Sequence, residues 1–259
     1  MPTNTLQTFT AFYDGWLLRH HRLQQQLLAA GNGGHHHQPH KLVQQATDHY
    51  REYYEEKSTA TEEDVFLICS PPWHTSFERA LFWVTEFPPS LLFRFVNDLD
   101  LTADQAGRIE AVRAETLRKE REIGETMAVV QESAAAAPLY GLVNRTGLLV
   151  DGQVSELDDA MEEVKEAMRV VMVAADGLRG RTVAEILEAL EVGQMVKFFA
   201  AVGEFRIRAR RIGLEMDRAA FLQLQTAILY FHESSFPLHR RKKKSPNTST
   251  AKFLAAKDG

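Results

Sequence analysis

The sequence has a single cysteine and no long apolar run, and each shortage excludes a class of protein. Cys69 is the one cysteine among 259 residues, so the chain can form neither an intramolecular disulfide nor a four-cysteine zinc site. The longest apolar run, of the kind seen from Val170 to Ala175, is far shorter than the roughly 18 residues that cross a bilayer. The first ten residues also lack the charged and apolar parts of a signal peptide. We therefore expect an intracellular protein that does not contact membranes.

Motifs of catalysis and nucleotide binding are missing as well. The sequence contains no P-loop, no G-x-G-x-x-G, no G-x-S-x-G and no H-E-x-x-H. Cys69 lies in an apolar stretch with no nearby charge to lower its pKa, which favours a small core residue over a nucleophile. A cluster of histidines can in principle bind zinc or nickel, but its glycine- and glutamine-rich surroundings supply no fixed geometry; the cluster consists of His35, His36, His37 and His40. We predict no catalytic residue and no metal site.

Long stretches of the sequence contain no proline, and the positions of the prolines predict the fold class. The nine prolines fall almost entirely into short clusters, and none occurs between Pro138 and Pro237. Because proline is excluded from helix interiors, the gaps between clusters are expected to be helical. Apolar residues in these gaps recur every three or four positions, which is the helical period. The sequence predicts an all-α protein, a multi-helix bundle with long antiparallel amphipathic helices.

Local signals predict the boundaries of these helices. The first helices are expected over about residues 3–30, 40–69, 77–85, 90–97 and 102–137. Thr102 and Gln105 form a capping box at the start of the longest of them. The next helix is expected to end at Gly180. Thr182 and Glu185 are expected to form a capping box at the start of the helix that follows.

One segment carries a heptad pattern with spacings of four and three. Its members are Leu157, Met161, Val164, Met168, Val171, Ala175 and Leu178. Such an a/d seam suits both an intermolecular coiled coil and a bundle helix, and three heptads favour the bundle. For the whole chain we expect a helical domain over 1–215, an additional C-terminal helix over 216–236 and a basic, disordered tail over 237–259.

Charge is distributed unevenly along the chain. The net charge of −5 argues against a wholly basic nucleic-acid coat protein. Residues 151–191 contain eleven acidic and four basic side chains, whereas residues 206–252 contain eleven basic and three acidic ones. The first basic group is interpreted as a solvated helix face and consists of Arg206, Arg208, Arg210 and Arg211. The second suits a nuclear import receptor or a phosphate backbone and consists of Arg240, Arg241, Lys242, Lys243 and Lys244.

Scattered aromatic and polar residues resemble a known plant family. They are Tyr13, Trp16, Tyr53, Tyr54, Lys57, Asp64, Trp73, Trp83, Pro89, Ser90 and Gln131. Their order resembles the Delay of Germination (seed dormancy control) family over about residues 6–213. The same domain is found at the C-terminal end of TGA-type bZIP transcription factors, where it follows a basic region and zipper. Trp73, Trp83, Pro89 and Ser90 belong to the family's motif.

The resemblance implies a function. Family members are non-enzymatic regulators that act through protein partners in transcription control or abscisic-acid signalling, with type 2C protein phosphatases among the implied partners and the nucleus as location. It implies a partner-binding role for Tyr13 and Trp16, because exposed Tyr and Trp form hot spots, whereas composition alone favours core positions for both. Two alternatives stay open: sequence-specific DNA binding of the TGA type, and sensing of an apolar ligand or haem. The oligomeric state also stays open.

The sequence departs from the family pattern at two places. Trp83 is usually followed by a glycine-rich step and Arg-Pro-Ser, but here Val84 and Thr85 replace glycines and Pro88 takes the place of the arginine. Haem-binding members resemble this chain in the penultimate helix, where they carry two histidines four residues apart. Alignment places Arg206 and Arg210 there, and arginine does not ligate iron. We therefore expect no cofactor, haem included.

The basic run in the tail yields a testable prediction about location. Replacing Arg240, Arg241, Lys242, Lys243 and Lys244 with alanine is expected to move a large reporter fusion from the nucleus to the cytoplasm. A flexible basic run can extend along an acidic groove of an import receptor. The large reporter is needed because a chain of 29.3 kDa can diffuse through nuclear pores. Unchanged nuclear accumulation, seen by fluorescence microscopy, would reduce the run to a solubilising tail.

Overall fold

A computed structural model describes residues 5–31, 38–135, 141 and 151–235. Throughout these ranges the secondary structure is helical with connecting turns, and the described residues form no β-strand. The all-α prediction is confirmed. No helix in the described ranges is both long and apolar enough to span a bilayer. The basic run at 240–244 and His35 to His37 lie outside the described residues.

The helices are named here in chain order. They are α1 (Thr5–Gly31), α2 (Pro39–Glu63), α3 (Val65–Cys69), α4 (Ser76–Ala80), α5 (Leu92–Val96), α6 (Ala103–Ala135), α7 (Asp151–Ala189) and α8 (Val192–Ser235). A 3-10 turn, Pro89–Leu91, directly precedes α5.

Capping explains two of the boundaries. The capping box before α6 is confirmed, since the Gln105 amide donates to the Thr102 hydroxyl at 3.2 Å and the Thr102 amide donates to the Gln105 side chain at 3.0 Å. The helix expected to run unbroken to Cys69 is interrupted at Asp64. Asp64 is extended, and its carboxylate accepts from the Leu67 amide at 3.0 Å, so it caps the N-terminus of α3.

The boundary expected at Gly180 is wrong. Helix α7 continues through Gly180 and Thr182 to Ala189. Glycine inside a helix costs only about 1 kcal/mol relative to alanine, which packing readily offsets. The Thr182 hydroxyl donates to the Leu178 carbonyl at 2.8 Å and lies 3.2 Å from the Thr116 hydroxyl of α6. Thr182 therefore joins two packed helices and caps neither.

The segment expected as an additional C-terminal helix is a continuation of α8. That helix runs without a break from Val192 to Ser235. Contacts nevertheless divide the chain into two compact units, residues 1–217 and 218–259. Within the second unit the structure describes Arg218 to Ser235.

Long helices pair in antiparallel fashion, as predicted. The Thr5 hydroxyl of α1 donates to Glu63 at the far end of α2 at 2.7 Å, while Trp16 meets His49. In the second pair, the Gln105 side chain at the start of α6 donates to the Ala189 carbonyl at the end of α7 at 2.9 Å. Thr116 and Thr182 meet further along the same two helices.

Two apolar clusters form the core of the first unit. The larger cluster contains Leu27, Leu42, Ala46, Phe93, Val96, Ile109, Ile186, Ala189, Leu190, Val196, Phe198, Phe199 and Ala200. The aromatic cluster contains Phe9, Tyr13, Trp16, Tyr53, Ala60, Val65, Ile68, Trp73 and Met172. In the heptad seam of α7, Val171, Ala175 and Leu178 are buried within the chain. These three positions of the seam therefore face the core of the bundle.

Two glycines let α8 lie close to its neighbours. A Cβ atom on Gly213 would come within 2.0 Å of the Thr75 hydroxyl oxygen, and one on Gly203 within 2.2 Å of Gln24 Oε1. At Gly213 a larger residue would clash with Thr75 and push the two segments apart, whereas at Gly203 the Gln24 side chain would have to move. The close approach brings the α8 side chains against α1 and against the turn that precedes α4.

The exposure expected for Tyr13 and Trp16 is not found. Both side chains are 0% exposed. The Trp16 indole donates from Nε1 to the His49 carbonyl at 2.9 Å and lies parallel to the His49 ring, with 4.4 Å between centroids. In this structure neither side chain can form an exposed hot spot, because each is covered by neighbouring helices. Their positions match the core interpretation that composition alone favoured.

Replacement of Trp16 tests this placement. Trp16→Ala is expected to lower the free energy of unfolding by about 3–5 kcal/mol, because it opens a large cavity in the aromatic cluster. Leu18→Ala is the matched control on the same helix, since Leu18 is 64% exposed and little should change. Urea unfolding followed by circular dichroism measures both. A stable Trp16→Ala variant would contradict the buried position.

Candidate functional site

Eight charged or titratable side chains meet inside the first unit. They are Lys57, His74, Glu78, Glu86, Asp176, Arg179, Arg206 and Arg210, and we call them the buried ion network. They come from α2, from the segment between α3 and α5, from α7 and from α8. The network therefore connects four parts of the fold.

Glu86 and Arg206 form the centre of the network. Arg206 Nη2 lies 3.1 Å from Glu86 Oε2, and the Tyr53 hydroxyl donates to the same carboxylate. Burial alone would raise the pKa of Glu86, but the positive charge of Arg206 and, to a lesser degree, the neighbouring His74 and Lys57 lower the pKa to about 2. The carboxylate is therefore charged at neutral pH. The Arg206 guanidinium also lies 5.2 Å from the Trp16 ring centroid, a cation–π distance.

Arg210 forms a second, parallel connection one helical turn later. It donates to the Trp73 carbonyl at 2.9 Å and to Glu78 Oε2 at 3.4 Å. Glu78 also closes a capping box with Thr75 at the start of α4. His74 lies between the two acids, with Nδ1 3.4 Å from Glu78 and Nε2 3.6 Å from Glu86. Burial outweighs both neighbouring acids and lowers the pKa of His74.

Asp176 and Arg179 hold the loop that contains Glu86. Asp176 accepts from Lys57 Nζ at 2.7 Å and from Arg179 Nη1 at 2.6 Å. Arg179 then donates to backbone carbonyls of residues 83–87, among them Val84 at 2.9 Å and Phe87 at 2.9 Å. One guanidinium from α7 therefore satisfies most of the carbonyls of a tight loop.

That loop has an unusual backbone. Trp83 and Glu86 form an isolated antiparallel bridge, and the two residues between them have positive φ angles, 44° at Val84 and 68° at Thr85. The left-handed region costs a residue with a Cβ atom roughly 1–2 kcal/mol. The family's glycines suit this conformation at no such cost. This chain keeps the conformation without the glycines, and the contacts of Arg179 oppose the strain.

The family-motif residues support the same region. The Ser90 amide and hydroxyl both donate to Glu120 of α6, at 3.0 and 3.1 Å, and Pro89 begins the 3-10 turn. The Trp83 ring lies 5.3 Å from the Arg179 guanidinium. Trp73 is buried against Phe9, with ring centroids 4.5 Å apart. All four motif residues hold the loop and its neighbours in place.

A pair of buried histidines lies beside the network. His20 Nδ1 is 3.3 Å from His49 Nε2, and the Trp16 indole lies parallel to both imidazole rings. Burial is the main cause that lowers the pKa of His20 to about 3, and the positive charge of Arg206 adds to it. Burial also lowers the pKa of His49 to about 4, with a smaller contribution from the charge of Arg19. Both histidines are therefore neutral hydrogen-bonding groups at physiological pH.

The arrangement suits structure better than chemistry. Each network carboxylate accepts a hydrogen bond from a cation or a hydroxyl. Cys69 is half-buried, and burial raises the pKa of its thiol to about 11. Within the described ranges, no three His, Cys, Asp or Glu side chains converge on a position for a metal ion. The ion pairs of the network connect α2, the segment between α3 and α5, α7 and α8.

Arg206 and Arg210 are not the solvated face that the sequence predicted. Only Arg208 and Arg211 of that group are exposed, and Arg208 pairs with Glu204. At the two positions where haem-binding members carry histidines, the guanidiniums are engaged by Glu86 and Glu78. Arginine does not ligate iron, so these positions do not fit a haem. The expectation of no haem stays a prediction.

Most of the network was not predicted from sequence. Glu86 and Arg206 are 120 positions apart, and Lys57 and Asp176 are 119 apart. No local spacing marks such pairs. The one available signal was the placement of Arg206 and Arg210 four residues apart on a helix, which aligns both side chains on one face.

Fold and network together define the class: an all-α bundle domain in which buried ion pairs fix a strained loop. Comparison with known proteins then supplies the family. A family model described as seed dormancy control matches residues 20–98. Together with relatives that align over nearly their whole length, it shows that this chain belongs to the seed dormancy control, or Delay of Germination, family.

Two of these relatives are from Arabidopsis thaliana. The chain is 37% identical over 223 residues to Protein RESPONSE TO ABA AND SALT 1, covering 81% of this chain and 97% of that protein. It is 35% identical over 225 residues to Protein ZW2, covering 83% of this chain and 100% of that protein. Transcription factor TGA9 matches only in part, at 26% identity over 60% of this chain and 31% of its own length. The family resemblance predicted from sequence is confirmed.

The strained loop yields a prediction about stability. Thr85→Gly is expected to raise the free energy of unfolding by about 1 kcal/mol, because glycine relieves the positive φ. It also removes a buried hydroxyl that has no hydrogen-bond partner among the described residues. Thr85→Ala is the matched control, since it removes the hydroxyl and keeps the Cβ atom. Chemical denaturation should rank glycine above alanine, and the reverse order would contradict a strained loop.

Proposed function

We propose that this protein is a non-enzymatic regulator of seed dormancy or of the abscisic-acid response and that it acts by binding other proteins. Family membership supports the regulatory role, as does the name of the relative RESPONSE TO ABA AND SALT 1. The buried ion network supports it indirectly, because its charged groups are engaged in holding the bundle together. We therefore infer that the binding of other proteins takes place at its surface.

The observation that carries this proposal is an apolar stretch on the last part of α8. In the second compact unit, Phe221 and Leu224 are each 59% exposed. They lie three residues apart, so both project from adjacent positions on the helix surface. Large apolar side chains grouped on a surface mark sites of protein association, and a phenylalanine is well suited to fill a partner's pocket.

The proposed partners are regulatory proteins, with type 2C protein phosphatases of abscisic-acid signalling as the first to test. They come from the family resemblance. We propose that they bind this protein in the nucleus, in line with the transcription-factor relatives and with the basic run of the tail.

DNA binding is the alternative, and one observation bears on it. A TGACG-sequence-specific DNA-binding protein of Nicotiana tabacum is 27% identical over 59% of this chain, but the match covers only 34% of that relative. In this chain Arg206 and Arg210, two of the four arginines of the basic helix segment, are withdrawn into the ion network. This withdrawal leaves less cationic surface for phosphate contacts and favours protein partners.

The test compares binding with and without the apolar stretch. The Phe221→Ser, Leu224→Ser double variant is expected to lose at least about tenfold in affinity for a type 2C phosphatase, measured by calorimetry, because hot-spot side chains dominate such interfaces. The matched control is Val170→Ser with Val173→Ser, two similarly exposed residues of α7. Equal loss in both variants, or none in either, would contradict the proposed surface.

A DNA titration completes the comparison. The unmodified protein is expected to bind a TGACG duplex weakly and to lose that binding steeply by about 200 mM salt in a mobility-shift assay. Tight binding that survives this salt and discriminates against a scrambled duplex would favour the DNA alternative.

A further inference from the structure

A large cavity lies beside the buried ion network, within the first compact unit. Its volume is about 430 Å³, and it is lined by α2, α7, α8 and residues 86–95. Well-packed protein interiors contain few voids larger than a water molecule, whereas small-molecule sites range from roughly 300 to 1,000 Å³. The volume of the cavity is therefore that of a ligand site and is larger than that of a packing defect.

Its walls are mainly apolar. Phe87, Phe95, Val183, Leu187, Phe199 and Val202 contribute to the lining. The cavity also reaches the surface, since Arg51 of α2 and Gly180 and Ala184 of α7 line it and are exposed. A ligand can thus enter between α2 and α7 without unfolding the bundle.

Two polar groups at the cavity are left with unused donors. The Tyr50 hydroxyl and Arg206 Nε are both buried, and neither has a hydrogen-bond partner among the described residues. A buried donor without an acceptor is costly, and native proteins rarely leave one. Burial raises the pKa of Tyr50 to about 12, so the hydroxyl keeps its proton. The Tyr50 hydroxyl can therefore donate to an acceptor atom of a molecule in the cavity.

The charges around the cavity are already balanced. Five charged side chains line it, and each has an opposite partner: Arg206 with Glu86, Arg179 with Asp176, and Arg51 with Asp48. An added carboxylate would find no unpaired cation in this lining. It would lose its hydration without gaining an ion pair, which is costly. The lining therefore disfavours a charged ligand and favours a neutral one.

We propose that this cavity binds a neutral, largely apolar small molecule that presents one carbonyl, ether or hydroxyl oxygen to Tyr50. A cavity of about 150 Å³ holds benzene, so this volume corresponds to roughly 15 to 20 non-hydrogen atoms. The site is separate from the apolar stretch at Phe221 and Leu224, and it stands or falls independently of the proposed partner binding.

The test uses the fluorescent ketone prodan, a neutral naphthalene derivative of the right size. We expect saturable one-to-one binding with a blue-shifted emission, as the probe leaves water for the apolar cavity. Val183→Trp, which fills the cavity, is expected to weaken binding at least tenfold. Tyr50→Phe removes the donor and is expected to weaken it about fivefold. Val173→Trp, on the exposed face of the same helix, is the matched control and should bind as the unmodified protein does.

Competition decides the charge of the ligand. Dodecanol and dodecanoate share one chain length and differ in their head group, and we expect dodecanol to displace prodan at the lower concentration. Circular dichroism verifies each variant, and Leu187→Trp, from the same wall, replaces Val183→Trp if the latter does not fold. Prodan binding that is absent, unsaturable or unaffected by the filling variant would overturn the site. Stronger displacement by dodecanoate would overturn the neutral ligand.

Discussion

The ion pair between Glu86 and Arg206 is the contact on which the rest of the structure depends. Both side chains are buried, and each would cost several kcal/mol if it lost the other. Glu86 belongs to a loop, Arg206 to α8, and Tyr53, which donates to the same carboxylate, to α2. The three segments can meet only where all of these groups are satisfied together. One pair of charges therefore sets the position of the loop and the position of α8.

Around this pair, the chain replaces family features with a consistent alternative. Val84 and Thr85 adopt the left-handed conformation that suits glycine, and Arg179 holds their loop by its carbonyls. Arg206 and Arg210 occupy the positions of two histidines and turn inward to acids. The family resemblance implies histidines at these two positions in haem-binding members, whereas here both arginines fasten α8 to neighbouring segments.

The cavity and the network share side chains. Glu86, Asp176, Arg179 and Arg206 line the cavity and also form the ion pairs. A molecule in the cavity therefore touches the same groups that position the loop and α8. Its binding energy would stabilise that arrangement by mass action. If the proposed ligand binds there, its presence would be linked to the stability of the bundle.

Sequence by itself determined the local features of this protein. Proline gaps and apolar spacing indicated long antiparallel helices, and Thr102 and Gln105 marked a helix start, because such signals depend on neighbouring positions. Scattered aromatic residues identified the family, because their order along the chain can be read without knowing which of them touch. Tertiary structure alone decided the burial of Trp16, the passage of α7 through Gly180, the inward turn of Arg206 and the cavity. Each of these depends on contacts between distant segments. A helical period shows that a face exists, but which partner covers it, and which charge it meets, is settled only when the helices pack.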